Sequence, residues 1–136
     1  MRPKKREGNR WGFWRLQSLV LSFARSTAHA PHAFYRDTLG LAVAYEDSFA
    51  AVLNIGGITL RVSTVANFMP HEHTILGFYV PDVEATVKAL REKGITFNCY
   101  PGFSQDELGI LTPPGGTVRV AWFKDPDGNV LSVTNS

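Results

Sequence analysis

Few side chains in this 136-residue chain have the type and spacing that chemistry requires. His71 and His73 alternate onto one face of an extended segment, a spacing that presents two imidazoles to one metal ion. No third donor stands near them in the chain, and divalent sites generally need three or more protein ligands, so a polar strand entrance is the simpler reading. His29 and His32, three residues apart, make a weaker pair still. Arg61 carries a planar guanidinium suited to gripping a carboxylate or phosphate through two parallel hydrogen bonds; a surface arginine, or one paired with Glu46 or Asp47, is the plainer alternative. Asp106 and Glu107 sit in a long loop, where a carboxylate can serve as a general base or simply face water. Cys99 is the only cysteine, so no internal disulfide forms, and no adjacent base marks it as a nucleophile. No Ser-His-Asp set, phosphate loop or dinucleotide-binding glycine pattern is present.

The elements that must position these residues come from an internal repeat. Val20-Leu21-Ser22-Phe23-Ala24 is echoed by Ile75-Leu76-Gly77-Phe78-Tyr79, and each run leads into an amphipathic helix. The first helix is expected over about 27–39, capped by Ser26 or Thr27 and stopped by Gly40; the second over about 82–93, capped by Asp82 and stopped by Gly94. Three strand-like runs follow each helix, at about 41–46, 49–54 and 58–63, then at about 95–100, 117–124 and 130–134. The order is β-α-β-β-β, twice: an α+β domain over 16–136, with one module at about 16–64, a linker at 65–72 and a second module at about 73–136. The second half alone carries an extra loop over 101–116, a candidate lid.

Alternation assigns the faces, because strand side chains point up and down in turn. Leu53, Leu60 and Val62, with Ala121, Phe123, Leu131 and Val133, point beneath the helices, whereas Val52, Arg61, Trp122, Lys124, Ser132 and Thr134 point away. Two sheets with mixed outer faces suggest half-barrels enclosing a cup, which is where a ligand belongs.

Two motifs sit at fixed places in this duplication. Phe34-Tyr35-Arg36-Asp37-Thr38-Leu39-Gly40-Leu41 and Trp122-Phe123-Lys124-Asp125-Pro126-Asp127-Gly128-Asn129 resemble the helix-end and final-hairpin signatures of the glyoxalase/bleomycin-resistance/extradiol dioxygenase (vicinal oxygen chelate) superfamily. The resemblance runs from about Leu16 to the C-terminus and implies two βαβββ modules in a cup-like half-open barrel. It also implies a homodimer and a small-molecule ligand. Catalytic members hold a divalent metal in the cup with His, Glu or Gln from the first and last strand of each half, and the metal acts as Lewis acid. Carried over singly, those positions fall on Val20, Arg61, Ile75 and Ser132. Valine and isoleucine offer no donor, arginine repels a cation, and a lone serine is a poor ligand.

The expectation is therefore a cup that takes a small molecule without a metal cofactor, through Arg61, His73, Tyr79, Trp122 and Ser132, with Lys124 a further member. The alternative is a lyase, isomerase or dioxygenase with a relocated metal on His71 and His73, or with metal-free chemistry using Asp106 or Glu107.

Charge is unevenly spread. Residues 1–15 hold six basic side chains against one acidic, and the remainder holds eight against eleven, so the basic character belongs to a tail. Its aromatics Trp11, Phe13 and Trp14 among arginines hint at nucleic acid, but the favoured reading is a solvated extension. The run 16–24 mimics a signal peptide, yet Gln17, Ser18 and Ser22 dilute it and it recurs as a core strand. With no apolar stretch of membrane-spanning length and a single thiol, the expected location is the cytoplasm.

Overall fold

A computed structural model describes residues 20–26 and 33–136. Seven strands form two sheets. The first sheet contains β1 (Val20–Arg25), β2 (Ala42–Glu46), β3 (Ala50–Ile55) and β4 (Ile58–Thr64) in the order β1-β4-β3-β2. The second contains β5 (Thr74–Tyr79), β6 (Val120–Lys124) and β7 (Val130–Thr134) in the order β5-β7-β6. In both, the opening strand runs parallel to the last strand of its own half, and the other pairings are antiparallel. The two halves therefore share one pairing pattern, with a strand fewer in the second, and the two sheets do not close into a barrel.

The second helix, α1 (Val83–Glu92), follows its sequence signals closely. The Asp82 side chain accepts a hydrogen bond from the Ala85 N–H at 3.0 Å, satisfying a first-turn donor, and Gly94 takes the left-handed conformation just beyond the end. Val83 and Val87 are buried and Leu90 is half-buried, while Lys88 pairs with Glu84 one turn away on the wet side.

The first helix differs from expectation. Its start lies outside the described residues, and the described part, Ala33–Thr38, is a π-helical turn in which the Leu39 N–H donates to the Phe34 carbonyl. Two adjacent aromatics, Phe34 and Tyr35, are both buried there, and widening the turn lets both enter the core. Gly40, with φ +74°, ends the turn as its position suggests.

The expected strand over 95–100 is also corrected. Only Phe97 forms a bridge, to Phe123. Beyond it the Gln105 amide takes over the role of a neighbouring strand, donating to the Asn98 carbonyl at 2.8 Å and accepting from the Tyr100 N–H at 2.7 Å. Leu111, arriving from the far side of the loop, then pairs with Val120. The edge of β6 is thus shared by two short segments, each too short to register as a strand.

One core serves both halves. Tyr35, Leu53, Leu60 and Val62 from the first half join Val83, Val87, Phe123, Leu131 and Val133 from the second, and the Phe34 ring packs against Phe123 with centroids 6.4 Å apart. At this junction the buried Tyr35 hydroxyl donates to Asp125 Oδ2 at 2.6 Å. Asp125 Oδ1 accepts the main-chain N–H groups of Asp127 and Asn129, and the Asn129 amide donates both to Asp125 Oδ2 and to the Ala24 carbonyl on β1. The final-hairpin motif is therefore more than a tight turn. It ties the hairpin to the first helical turn and the first strand, across 90 residues of sequence between Tyr35 and Asp125. Burial, followed by the neighbouring Asp125 carboxylate, pushes the Tyr35 hydroxyl far above the usual phenol range.

Candidate functional site

The open face of each sheet is a grid whose rows are fixed by register. On the second sheet, Gly77, Ser132 and Trp122 make one row, and Thr74, Val130 and Lys124 the next. A cleft of about 530 Å³ stands over this face, lined by Trp122, Lys124, Val130 and Thr74 from the strands, Glu72 and His73 just before β5, Tyr100 just before the loop and Phe103 within it.

Its defining feature is aromatic. Phe103 lies offset and nearly parallel to Trp122, with centroids 6.0 Å apart and planes inclined by 27°, and Tyr100 meets the indole edge-on at 5.6 Å and 85°. Tyr100 and Phe103 themselves meet at 6.1 Å. The loop holds these rings by several devices. Gln105 pins the chain on either side of Cys99, leading into Tyr100, and the Asn98 amide donates to the Tyr100 hydroxyl at 3.1 Å. Buried Ile110 anchors the loop in the core. Gln105 also reaches the Gly109 carbonyl, closing the loop on itself. Such a loop is a fixed flap over the cleft. Phe103, 53% exposed, leaves half its surface free for a ligand.

At the opposite rim His73 Nδ1 lies 3.2 Å from the Thr74 carbonyl. A carbonyl only accepts, so Nδ1 is the donor in this contact. The His73 ring stacks on His71 at 4.9 Å, and His71 lines a second depression of about 530 Å³ between the edges of β1 and β5, which shares His73 and Thr74 with the aromatic cleft.

The structure brings His73 and Trp122 together in the cleft, with Lys124 beside them. Ser132 stands between Trp122 and Gly77 but is 6% exposed, and a Cβ at Gly77 would come within 2.9 Å of its Oγ. Arg61 does not reach this cleft. It stands exposed on the open face of the first sheet between Ser22 and Val52, and its charge helps to hold the Asp47 carboxyl below its ordinary range. The larger cause of that shift is hydrogen bonding from the Ala50 and Phe49 N–H groups. Tyr79, 71% exposed, lies at the far end of β5, in the row of Thr134 and Val120. Asp106 and Glu107 are also elsewhere. The Asp106 carboxylate accepts from the Leu108 and Ile110 N–H groups and shapes its own turn, and Glu107 lines a separate hollow with Arg91 and Cys99. The other two aromatics that reach the cleft, Tyr100 at the end of the expected strand and Phe103 in the loop, were signalled by nothing beyond their side-chain type.

Register also refines the positions where a metal would be held. Arg61 pairs across with Ser22 rather than Val20, and Ser132 with Gly77. Val20 lies two residues along, opposite Thr59, and Ile75 falls at a register irregularity and lines the depression between the sheets. A guanidinium, two hydroxyls and a glycine make no divalent site, and among the described residues no group of three His, Cys, Asp or Glu side chains could hold a metal ion. The donor set does not fit such a cofactor.

Comparison with known proteins matches this geometry to a family. The Glyoxalase/Bleomycin resistance protein/Dioxygenase superfamily model matches residues 22–133. The chain belongs to this superfamily. Among solved structures, a putative glyoxalase family protein from Bacillus anthracis is similar at TM-score 0.65 and 17% identity, covering 88% of this chain and 93% of the other. UcmS2 is similar at TM-score 0.66 and 18% identity, covering 90% and 99%. The fosfomycin resistance protein FosX from Listeria monocytogenes, solved as a point mutant with Mn(II) and a dihydroxypropylphosphonic acid, is similar at TM-score 0.63 and 12% identity, covering 90% of each chain. These likenesses establish the fold alone. Comparison with curated protein sequences gives no match. Among the described residues no helix is long and apolar enough to cross a membrane.

Proposed function

We propose that this superfamily member binds a small organic molecule in the aromatic cleft and does so without a divalent metal. The observation that carries the reading is the trio of Tyr100, Phe103 and Trp122 held over an otherwise open sheet face, with His73 at the rim. Flat aromatic surfaces left half-exposed by an anchored loop favour a planar or apolar guest, because each contact buries ring area on both partners. FosX is described with Mn(II) and a phosphonic acid. The comparable rows here, Ser22–Arg61 and Gly77–Ser132, supply no donors of the kind a metal needs, so recognition rests on stacking and on polar groups at the rim. By family likeness the working unit is taken as a homodimer, which sedimentation measures directly.

Calorimetric titration with a panel of planar aromatics and small carboxylates tests this proposal, with Trp122→Ala as the control. At least one planar probe binds the native protein, and Trp122→Ala weakens it by about tenfold or more, the order expected from losing a stacked indole. Metal analysis of protein purified without chelator runs alongside. One equivalent of a divalent ion, lost on His71→Ala/His73→Ala substitution, would replace this reading with a metal-dependent enzyme.

A further inference from the structure

We infer that the molecule taken by the aromatic cleft is a planar aromatic acid, its ring on Trp122 and its carboxylate met by Lys124. This rests on the cleft being a ligand site, as proposed above, and adds the charge and layout of the ligand.

Lys124 and Trp122 lie on the same strand and the same face, two residues apart. At a rise of about 3.4 Å per residue the two side chains are rooted roughly 7 Å apart, which suits a group carried at the edge of a bicyclic ring. The long aliphatic stem lets the ammonium swing over the sheet while the stem covers apolar surface. Lys124 is exposed, and no ion pair or side-chain hydrogen bond occupies it among the described residues. Its cross-strand neighbour Val130 is apolar and 2% exposed, so that neighbour does not compete for the ammonium. On the far side of Val130 stands Thr74, whose hydroxyl offers a second donor in the same row. One ammonium and one hydroxyl match a monoanion. They lack the guanidinium fork or run of main-chain N–H groups that phosphate sites use.

The one acidic group lining the cleft, Glu72, belongs to the linker, next to His73. It precedes Thr74 by two residues in the chain. A carboxylate over Val130 meets Lys124 and Thr74.

Three naphthalene probes of similar shape distinguish this inference from the reading beneath it: 2-naphthoate, its neutral amide and 2-naphthylmethylammonium, titrated calorimetrically into the full chain and into Lys124→Met. The expected result is 2-naphthoate binding about tenfold tighter than the amide, with that gap lost in Lys124→Met while the amide's affinity stays within about twofold. Lys124 is exposed, so its replacement leaves the fold intact, and circular dichroism verifies that. Equal binding of acid and amide, a gap that survives Lys124→Met, or preference for the ammonium probe would overturn the inference and leave ring binding standing. Failure of all three probes to bind would remove both.

Discussion

Replacing Tyr35 with phenylalanine removes one hydroxyl and leaves the ring, so it isolates the bond that ties the two halves together. In the native protein that hydroxyl donates to Asp125 Oδ2 at 2.6 Å, with Tyr35 2% and Asp125 5% exposed. A hydrogen bond to a charged acceptor contributes about 1.5–3 kcal/mol. The lower half of that range is the better expectation, because Asp125 Oδ2 keeps the Asn129 amide at 2.9 Å and the carboxylate is not orphaned. For a chain of this size the loss corresponds to a fall in Tm of roughly 5–10 °C. Urea and thermal unfolding of the native protein, Tyr35→Phe, Asp125→Asn and the double variant make a cycle whose coupling should reach about 1 kcal/mol. The phenol adds an alkaline signature. Burial, then Asp125, raises the Tyr35 pKa in the folded protein, while the unfolded tyrosine ionises near its ordinary value. Above about pH 10 the unfolded chain thus binds fewer protons than the folded one, and Tyr35 causes stability to fall by up to about 1.4 kcal/mol per pH unit. Tyr45, Tyr79 and Tyr100 contribute equally to native and variant proteins, so the difference between them isolates Tyr35. A Tyr35→Phe cost below about 0.5 kcal/mol, or identical alkaline slopes, would show that the motif does not latch the halves.

Gly128→Ala should cost about 1–3 kcal/mol in urea unfolding, because φ is +89° there and the new methyl would meet Pro70 Cγ at 3.1 Å. Phe103→Ala should leave stability within about 1 kcal/mol, since the ring is half-exposed, yet weaken a planar ligand severalfold by calorimetry. The Asp47 carboxyl, held by the Ala50 and Phe49 N–H groups, should titrate below the ordinary carboxylate range when followed by NMR, and Asp47→Ala should remove the matching loss of stability as pH falls through that titration.

The elements legible in the sequence were those with local signals. α1 carries its own cap, stop and apolar stripe, and the alternating strands β4 and β6 reveal which residues enter the core, whereas β7 is buried on both faces from Val130 to Val133. The segment beside β6 was not legible, because part of its bonding goes to a side chain: nothing local to residues 95–100 announces that Gln105 will bond Asn98 and Tyr100 in place of a neighbouring strand. The wide turn at Ala33–Thr38 depends on two adjacent aromatics sharing a core drawn from both halves. At the site, Trp122 and His73 followed from strand alternation and chain order. Placing Arg61 in the same cup required knowing how two sheets sit together, and Tyr100 and Phe103 required knowing where a sixteen-residue loop (101–116) begins its turn. The Tyr35–Asp125 bond joins the two most recognisable motifs in the chain, yet nothing in either reveals that the other is its partner.

The duplication explains why only one half makes the cleft. Register equates Ser22–Arg61–Val52 in the first sheet with Gly77–Ser132–Trp122 in the second, and Asn54 with Lys124. The bulky side chain occupies the middle strand of one row and the outer strand of the other. In the first sheet Arg61 rises from the centre, where a ligand would have to lie, and its neighbour Val52 offers no flat surface. In the second, Gly77 and Ser132 keep the centre low, and Trp122 forms a wall at the edge that the loop can reach with Tyr100 and Phe103. The broken strand follows from the same arrangement. A continuous strand over 95–100 would run on along β6, whereas turning the chain out at Tyr100 lets the loop carry two rings back over the indole. Regular pairing on that edge is given up in exchange for a flap, and the side chain of Gln105 supplies the hydrogen bonds that the missing strand would have made.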